Sequence, residues 1–414
     1  MTNDNKKYIP ALRFPEFQND GEWSTDTMET IFDIKNGYTP SKSNPSFWDH
    51  GTIPWFRMED IRKNGQILSD SIQHVTPAAV KNSGLFPAYS IIVATTATIG
   101  EHALIIVDSL ANQRFTFLTK RKSFENKLDM MYFHYFMFII DEWCKKNTNA
   151  GGLLSVNMDS FKKLTIPYPP SLSEQKKIAD CFVSIDKEID ETKRKLEQLK
   201  EHKKGLMQKL FPAKGKTLPE LRFPEFQNDG EWTYDYGNAL FDSIVNKDHN
   251  SELPILAITQ ENGAVPRDMI NYRVVVEDKS IEGYKVVDVG DFIISLRTFQ
   301  GGIEYSMYKG ICSPAYIVLR KKHDNICNDF YRHYFKSFQY IQDLNRNLEG
   351  IRDGKMVSYK QFSEIKIPHP RYKEQCKVAN CLTLLDKEIN AIKDKIMALE
   401  IHKNGLMQQL FPKL

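Results

Sequence analysis

The chain has 414 residues, enough for two domains of ordinary size, and its 41% hydrophobic and 12% aromatic content favours packed cores over disorder. The sequence contains no run of about 18 apolar residues, so we expect no membrane span. The N-terminal residues lack the apolar core of a secretory signal, so we expect a cytoplasmic protein. The net charge of +3 is too small to indicate nucleic acid by itself, so any DNA-binding surface must come from local clusters of charge or from a partner that supplies the phosphate contacts.

Two segments of the chain occur twice. The leader Pro10–Trp23 returns 209 residues later as Pro219–Trp232 with one substitution. Glu174–Pro212 and Glu374–Pro412 are identical at 21 of 39 positions, with an offset of 200 residues. That offset is too long for a solenoid repeat and fits a duplicated domain with its connector. We therefore predict a first domain with its leader at 1–170, a central helix at 171–212, a second domain with the repeated leader at 213–370 and a C-terminal helix at 371–414.

The first insert, between the leader and the central helix, has the pattern of a mixed α/β domain. Ser90–Ala94 (SIIVA) is typical of a buried strand, and the hydroxyl-rich loop 95–100 follows it. Phe115–Thr119 predicts another strand, which leads into the basic cluster 120–122. The aromatic segment 132–136 favours the core of a helix over a base-stacking surface.

Apolar residues recur in steps of four and three along both repeated helical segments, which is the a/d pattern of a coiled coil. Proline-rich runs precede both helices, and the Leu-Phe-Pro triplets stop them by residues 212 and 412. We predict that the helices pair antiparallel. The predicted seam consists of Ile178, Phe182, Ile185, Ile189, Leu196 and Leu199 in the first helix, and Val378, Leu382, Leu385, Ile389, Ile392, Ile396 and Leu399 in the second.

One lysine interrupts the apolar pattern in each helix. Centring the antiparallel pair sets Lys203 beside Leu385 and Lys403 beside Ile185. A charged residue at such a position costs stability but can fix the register; the alternative is that each lysine extends to solvent. About 38 residues at 1.5 Å each predict a rod of roughly 57 Å, longer than a DNA turn of about 34 Å. Such a rod is long enough to hold two domains over separated sites.

The second insert repeats this outline with different loop chemistry. Strands are predicted at Asp291–Ser295 and Tyr316–Arg320, and an aromatic helix at 331–335. Arg297 and Gln300 occupy the loop where the first insert carries hydroxyls. Arginine can bond guanine through two donors, glutamine can bond adenine, and serine or threonine can bond several base edges or phosphates. The alternative is that the loop glycines only end strands and the polar residues are solvated.

Loop position and side-chain chemistry select the candidate DNA-binding residues. In the first insert they are Ser41, Lys42, Arg57, Thr95, Thr96, Thr98, Arg114, Lys120, Arg121 and Lys122. In the second insert they are Arg297, Thr298, Gln300, Arg320, Lys321, Lys322, Arg352 and Lys355. We expect no catalytic, cofactor or metal site, because the sequence has no GxxxxGK loop followed by Ser or Thr, no GxGxxG, no HExxH and no CxxC pair among its six cysteines.

Together these features resemble the specificity subunit of type I restriction–modification systems over nearly the full length of the chain. The resemblance is carried by the LRFPEF leaders, by GYTPS at 37–41 with Trp48 and IPW at 53–55, by SIIVATTATIG at 90–100, by the Ile-Pro ending of each insert and by the EQ…DKEI…GLMQ helices. One such motif would be weak, but the duplicated order is specific. The second insert lacks the GxTPS and IPW elements and has residues 246–260 in their place, so it matches less closely.

The resemblance implies an α+β fold in which two α/β target-recognition domains, in a pseudo-two-fold arrangement, are joined by two long antiparallel coiled-coil helices. It implies a non-catalytic subunit of the bacterial cytoplasm whose domains each read one half of a bipartite site in double-stranded DNA. The helices would set the spacing and dock two methyltransferase subunits, and motor-nuclease subunits would join through the complex. SAM, ATP and Mg²⁺ would then bind to those partners and not to this chain. The alternative is a coiled-coil scaffold for protein interactions without DNA contact.

Overall fold

The computed structural model describes residues 8–82, 84–149, 154–249, 252–270, 278–346 and 357–414. The chain divides into two compact units: Met1–Thr192 together with Lys395–Leu414, and Lys193–Asp394. Each unit holds one insert and one part of each long helix. The predicted boundaries at residues 170, 212 and 370 treat the helices as separate segments and stay predictions. In the described part of the chain, no helix has an apolar stretch long enough to cross a membrane.

The first unit contains ten described strands and the following helices. The strands are β1 (Ser24–Thr27), β2 (Phe32–Asn36), β3 (Ile53–Phe56), β4 (Ile67–Leu68), β5 (His74–Val75), β6 (Ser90–Ala94), β7 (His102–Ile105), β8 (Leu110–Ala111), β9 (Phe115–Lys120) and β10 (Thr165–Tyr168). The α-helices are α1 (Met28–Ile31), α2 (Met58–Asn64), α3 (Met130–Lys146), α4 (Met158–Lys162), the part of α5 (Leu172–Leu210) that ends at Thr192, and residues 395–410 of the C-terminal helix. Short 3-10 helices lie at Pro15–Phe17, Pro45–Phe47, Pro77–Ala79 and Lys122–Phe124.

The sheets of the first unit pair mostly antiparallel strands. Among the described residues, one sheet has the order β2-β9-β6-β7-β4, and a smaller one has the order β5-β3-β8. The strand predicted at Ser90–Ala94 is confirmed as β6, and all five of its residues are buried, since its apolar side chains alternate between two hydrophobic clusters. The strand predicted from Phe115 is confirmed as β9. The aromatic segment is the start of α3, where Tyr132, Phe133 and Phe136 have no exposed surface, which confirms the helix-core interpretation.

The leader is fixed to the start of α5 by a buried ion pair. Arg13 donates through Nε and Nη2 to the two carboxylate oxygens of Glu174, each at 2.7 Å, and the Trp23 indole donates to the same carboxylate at 3.3 Å. Glu174 has no exposed surface, so these donors replace the water that its charge would otherwise need. Immediately after Trp23, β1 pairs antiparallel with β10, so both ends of the first insert lie side by side.

The second unit contains these described strands: β11 (Thr233–Tyr236), β12 (Phe241–Ile244), β13 (Leu256–Thr259), β14 (Gly263–Pro266), β15 (Lys285–Val287), β16 (Phe292–Ile294), β17 (Glu304–Tyr305), β18 (Gly310–Cys312), β19 (Ile317–Lys321) and β20 (Lys366–His369). Its α-helices are the part of α5 that begins at Lys193, α6 (Gly237–Leu240), α7 (Thr298–Gly301), α8 (Asn328–Tyr334), α9 (Phe338–Arg346), α10 (Tyr359–Ser363) and the part of α11 (Tyr372–Leu410) that ends at Asp394. Short 3-10 helices lie at Pro224–Phe226, Arg267–Met269 and Asp278–Gly283.

The second unit repeats the ion pair between leader and long helix and the strand pair at the ends of the insert, but the rest of its insert has a different sheet. Arg222 donates to Glu374 at 2.7 and 2.8 Å, the Trp232 indole donates to the same carboxylate at 3.0 Å, and β11 pairs with β20. The main sheet of the described residues has the order β12-β19-β16-β17. The strands predicted around 291–295 and 316–320 are confirmed as β16 and β19. The aromatic helix, continuous in the first unit, is split here into α8 and α9 around residues 335–337, which the sequence pattern did not predict.

The long helices pair within each unit in the predicted antiparallel register. In the first unit Lys403 Nζ lies 2.5 Å from the carboxylate of Asp186, and in the second unit Lys203 Nζ lies 2.5 Å from that of Asp386. These carboxylates directly follow Ile185 and Leu385, the residues predicted to face the lysines. The lysine side chains are only 15% and 20% exposed, so both are paired within the helix seam instead of extending to solvent. Every residue of the predicted seam is buried or half-buried.

Candidate nucleic-acid interface

The residues that follow β3 and β8 in the first unit lie next to each other at one end of the sheet. β3 runs parallel to β8, with Phe56 opposite Ala111, so the chain leaves both strands at one end of the sheet. Arg57 follows β3 and precedes α2, and Asn112 follows β8 and begins the turn into β9. The backbone N–H of Asn112 donates to the carbonyl oxygen of Phe56 at 3.0 Å, which holds the two exits together.

The loop at 95–100, after β6, lies against that turn because β6 pairs with β9. The backbone N–H of Thr95 donates to the carbonyl oxygen of Arg114 at 3.3 Å. Ala97 has a φ of +65°, in the left-handed region that residues with a side chain adopt at a cost. The surrounding contacts hold the loop in this conformation, and Thr98 follows directly.

These three segments enclose a cavity of about 340 Å³. It is lined by Arg57, Met58, Glu59, Arg62, Thr98, Asn112, Arg114 and Phe115. Three residues predicted from sequence as DNA contacts, Arg57, Thr98 and Arg114, therefore meet in one site. We call this site the arginine cavity.

The arginine cavity has more hydrogen-bond donors than its own acidic residues use. Arg57 Nη2 lies 3.1 Å from Glu59, and Arg62 lies 3.8 Å from Glu101. Arg57 Nε is buried and has no hydrogen-bond partner among the described residues. In the same described part of the chain, Arg114 is exposed and forms no ion pair. Since exposed ion pairs contribute only about 0–1 kcal/mol, guanidinium groups are available here for an incoming ligand.

Comparison with known proteins shows the family of this chain. The family model described as "Type I restriction modification DNA specificity domain" matches residues 20–201 and 235–400. The chain belongs to this family. Each matched stretch contains most or all of one insert and most of the long helix that follows it.

Individual relatives within the family are similar to different extents. The chain is 49% identical over 152 residues to the type I restriction enzyme EcoprrI specificity subunit of Escherichia coli, which covers 37% of this chain and 38% of that subunit. It is 27% identical over 305 residues to the type I restriction enzyme MjaVIII specificity subunit of Methanocaldococcus jannaschii, covering 69% and 70% of the two chains. The crystal structure of the type I restriction-modification S subunit from M. genitalium shares the fold, with a TM-score of 0.59 at 17% identity over 98% of this chain and 100% of that one.

Three polar residues of the arginine cavity, Glu59, Arg62 and Asn112, were not among the residues predicted from the sequence. Glu59 and Arg62 lie on α2, directly after the IPW element, and that position was the available signal. Asn112 carried no local signal, because its place in the site depends on the pairing of β3 with β8, whose first residues are 57 positions apart.

Seven other candidates of the first insert lie outside the cavity lining, and four of them are at residues 41, 42, 95 and 96. Ser41 and Lys42 are exposed, and the Ser41 carbonyl oxygen accepts a hydrogen bond from the Trp48 indole at 3.0 Å. Thr95 is 8% exposed, with its hydroxyl 3.1 Å from that of Thr116. Thr96 is half-buried and forms an isolated β-bridge with the chain at residue 155. Thr95 and Thr96 therefore support the loop that presents Thr98.

The basic cluster after β9 is partly committed to internal hydrogen bonds. Lys120 Nζ donates to the carbonyl oxygen of Leu128 at 2.8 Å, and burial lowers the pKa of this lysine. Arg121 Nε donates at 3.2 Å to a carbonyl oxygen of β2, that of Phe32. Lys122 is exposed. A role of these residues in DNA binding stays a prediction.

In the second insert, the loop after β16 separates exposed from buried candidates. Arg297 and Gln300 are exposed at α7. Thr298 is 1% exposed, and its hydroxyl accepts a hydrogen bond from the backbone N–H of Ser295 at 2.8 Å. The structure therefore places Thr298 as an internal support of the loop, unlike the exposed contact expected from sequence.

The second basic cluster is also engaged within its own unit. Arg320 donates to the buried carboxylate of Asp291 at 2.7 Å and to Asp288 at 2.6 Å. The hydrogen bond to Asp291 raises the pKa of Arg320 above its ordinary value. Lys321 lies 3.9 Å from the carboxylate of Asp324, and Lys322 lies 3.1 Å from that of Asp242. The remaining candidates, Arg352 and Lys355, lie outside the described residues.

A larger cavity of about 630 Å³ lies in the second unit, between the C-terminal part of α5 and the start of α9. Its lining includes the apolar side chains of Phe211 and Phe338 and the lysines Lys200, Lys203 and Lys336. None of the predicted DNA-binding residues lines it. The Phe338 side chain is 66% exposed, which is unusual for a large aromatic ring.

Proposed function

We propose that this chain is the DNA-recognition subunit of a type I restriction–modification complex, and that each insert reads one half of a bipartite site in double-stranded DNA. The observation that carries the proposal is the convergence of Arg57, Arg62 and Arg114 on one cavity of a chain that belongs to the specificity-domain family. Contacts to phosphates would supply affinity and its salt dependence, and contacts to base edges would supply specificity. The family match gives no support to a scaffold without DNA contact.

We further propose that the chain itself is not an enzyme. The long helices would set the distance between the half-sites and dock two methyltransferase subunits, and motor-nuclease subunits would join through the complex. SAM, ATP and Mg²⁺ would bind to those partners, in the bacterial cytoplasm. The large cavity beside α5 supports docking of a partner here, because its apolar walls and the exposed ring of Phe338 suit a protein surface more than a charged DNA backbone.

An exchange of inserts tests the proposal. Residues 24–165 are replaced by the corresponding segment of another family member, the chain is expressed with the methyltransferase subunit of its own system, and modified adenines in host DNA are sequenced. We expect a split motif with a fixed gap in which only one half changes. The matched control exchanges residues 233–366 and should change only the other half. A change in both halves after either exchange, or the absence of a split motif for the original chain, would contradict the proposal.

A further inference from the structure

The arginine cavity offers acceptors as well as donors. The Glu59 side chain lines it, is 63% exposed, and is positioned by the ion pair with Arg57. Arg114 lines it from the opposite segment and has no acidic partner in the described part of the chain. A ligand that fits must therefore accept hydrogen bonds from a guanidinium group and donate one to a carboxylate.

This combination distinguishes a base pair from a phosphate. The oxygens of a phosphate diester only accept, and the negative charge of Glu59 would repel them. The major-groove edge of a base pair carries acceptors and donors together. The mixed character of the cavity thus favours contact with a base pair over contact with the DNA backbone.

The side chains also select between the two kinds of base pair. Guanine presents the acceptors O6 and N7, which match a guanidinium group, and cytosine presents its N4 amino donor, which matches a carboxylate. Adenine is usually read by an asparagine or glutamine that uses both its oxygen and its amino group. The Oδ1 atom of Asn112 already accepts the backbone N–H of Arg114 at 3.0 Å, so Asn112 is poorly placed for that role.

Resting on the proposed function, we propose that the arginine cavity reads one G·C base pair in the half-site of the first insert. Arg114 donates to guanine and Glu59 accepts from the amino group of cytosine. Arg57 is a positioning residue, because it holds the Glu59 carboxylate and contacts no base in this scheme. Met58 and Phe115 supply apolar walls that limit the access of water.

The test uses the complete complex with the methyltransferase subunits of the same system. Glu59→Met, which removes the acceptor oxygens, and Arg114→Gln are compared with the original chain by sequencing methylated motifs and by competition binding to duplexes altered one base pair at a time. We expect both variants to lose discrimination at the same single base pair, by roughly 5- to 150-fold, with the other positions unchanged. Lys63→Gln is the matched control, since it removes a charge from α2 outside the cavity lining and should leave the motif unaltered.

The outcomes separate the inference from the function on which it rests. Both substituted side chains are exposed, and far-UV circular dichroism checks that the variants remain folded. Equal weakening on all duplexes with a smaller salt dependence would indicate a phosphate contact and overturn the inference, while the bipartite function stands. Effects at two different positions, or no effect of Arg114→Gln, would also overturn it. If the original chain directs no split motif, the proposed function itself fails.

Discussion

Substitution of Arg222 by methionine tests how far the buried ion pair at the start of α11 stabilises the second unit. The guanidinium donates to Glu374 through two hydrogen bonds, of 2.7 and 2.8 Å, and the Glu374 side chain is 1% exposed. Arg222→Met keeps most of the aliphatic volume and leaves a buried carboxylate without its counter-charge. Loss of one partner from such a pair costs about 3–5 kcal/mol, so we expect the free energy of unfolding of this unit to fall by that amount.

Urea unfolding of the purified chain, followed by hydrogen exchange of peptides from residues 193–394, measures this change in the second unit. The matched control is Lys377→Met. Lys377 lies 2.8 Å from Glu225, but the two side chains are 49% and 45% exposed. Solvent screening therefore keeps the expected loss far below that of Arg222→Met.

A double variant separates the cost of the stranded charge from the loss of hydrogen bonds. Glu374→Gln removes the charge and keeps an oxygen that accepts from the Trp232 indole. Combined with Arg222→Met, it should recover most of the lost stability, to within about 1–2 kcal/mol of the original chain. Equal losses in Arg222→Met and Lys377→Met would show that burial does not govern this interaction and would refute the reasoning.

Three more predictions concern separate sites. Gly205→Ala should raise the free energy of unfolding by about 0.5–1 kcal/mol, since a Cβ at this helical position meets no atom within 4 Å. Gly302→Ala should lower it, because φ is +79° at this residue and a Cβ would overlap the carbonyl oxygen of Phe335. Thermal unfolding of both variants measures these changes. Burial lowers the pKa of His102 to about 4, so the unfolded chain binds a proton at this residue first as the pH falls. His102 should therefore contribute about 2 kcal/mol to the stability lost in urea unfolding between pH 7.5 and pH 5, beside the buried His134 and His333, whose pKa values burial also lowers. The loss should be smaller by that amount in His102→Gln, and an equal loss in this variant and the original chain would contradict the prediction. Arg297→Ala should relax one position of the other half-site by about 1–3 kcal/mol, and an unchanged motif in methylation sequencing would exclude this contact.

Elements with a strong local pattern could be predicted from the sequence. The apolar run Ser90–Ala94 is bounded by a polar loop and emerged as β6 with the same ends. The steps of four and three identified the buried face of each helix, because a heptad pattern has only one face to bury, and centring the antiparallel pair then gave the register. The partners of Lys203 and Lys403 were missed by one residue, since each lysine reaches past the facing apolar residue to the adjacent aspartate.

Features that depend on distant partners could not be predicted. Arg320 looks like a member of a basic cluster in sequence, yet it is paired with an aspartate 29 positions away. The arginine cavity exists because β8, only two residues long, pairs with β3, and a strand that short leaves no periodic signal. The break between α8 and α9 has no proline or glycine to announce it.

Each insert begins with one strand and ends with another that pairs antiparallel with it, β1 with β10 and β11 with β20. Because the two ends of each insert lie side by side, the strand pair does not constrain the fold of the residues between them. The two inserts can therefore differ inside, with a continuous aromatic helix in one and a split helix in the other, although both begin and end with the same kind of strand pair. Under the proposed function, recombination that keeps the leader and the helix would exchange a whole insert in one step, and would change the DNA target without changing the long helices.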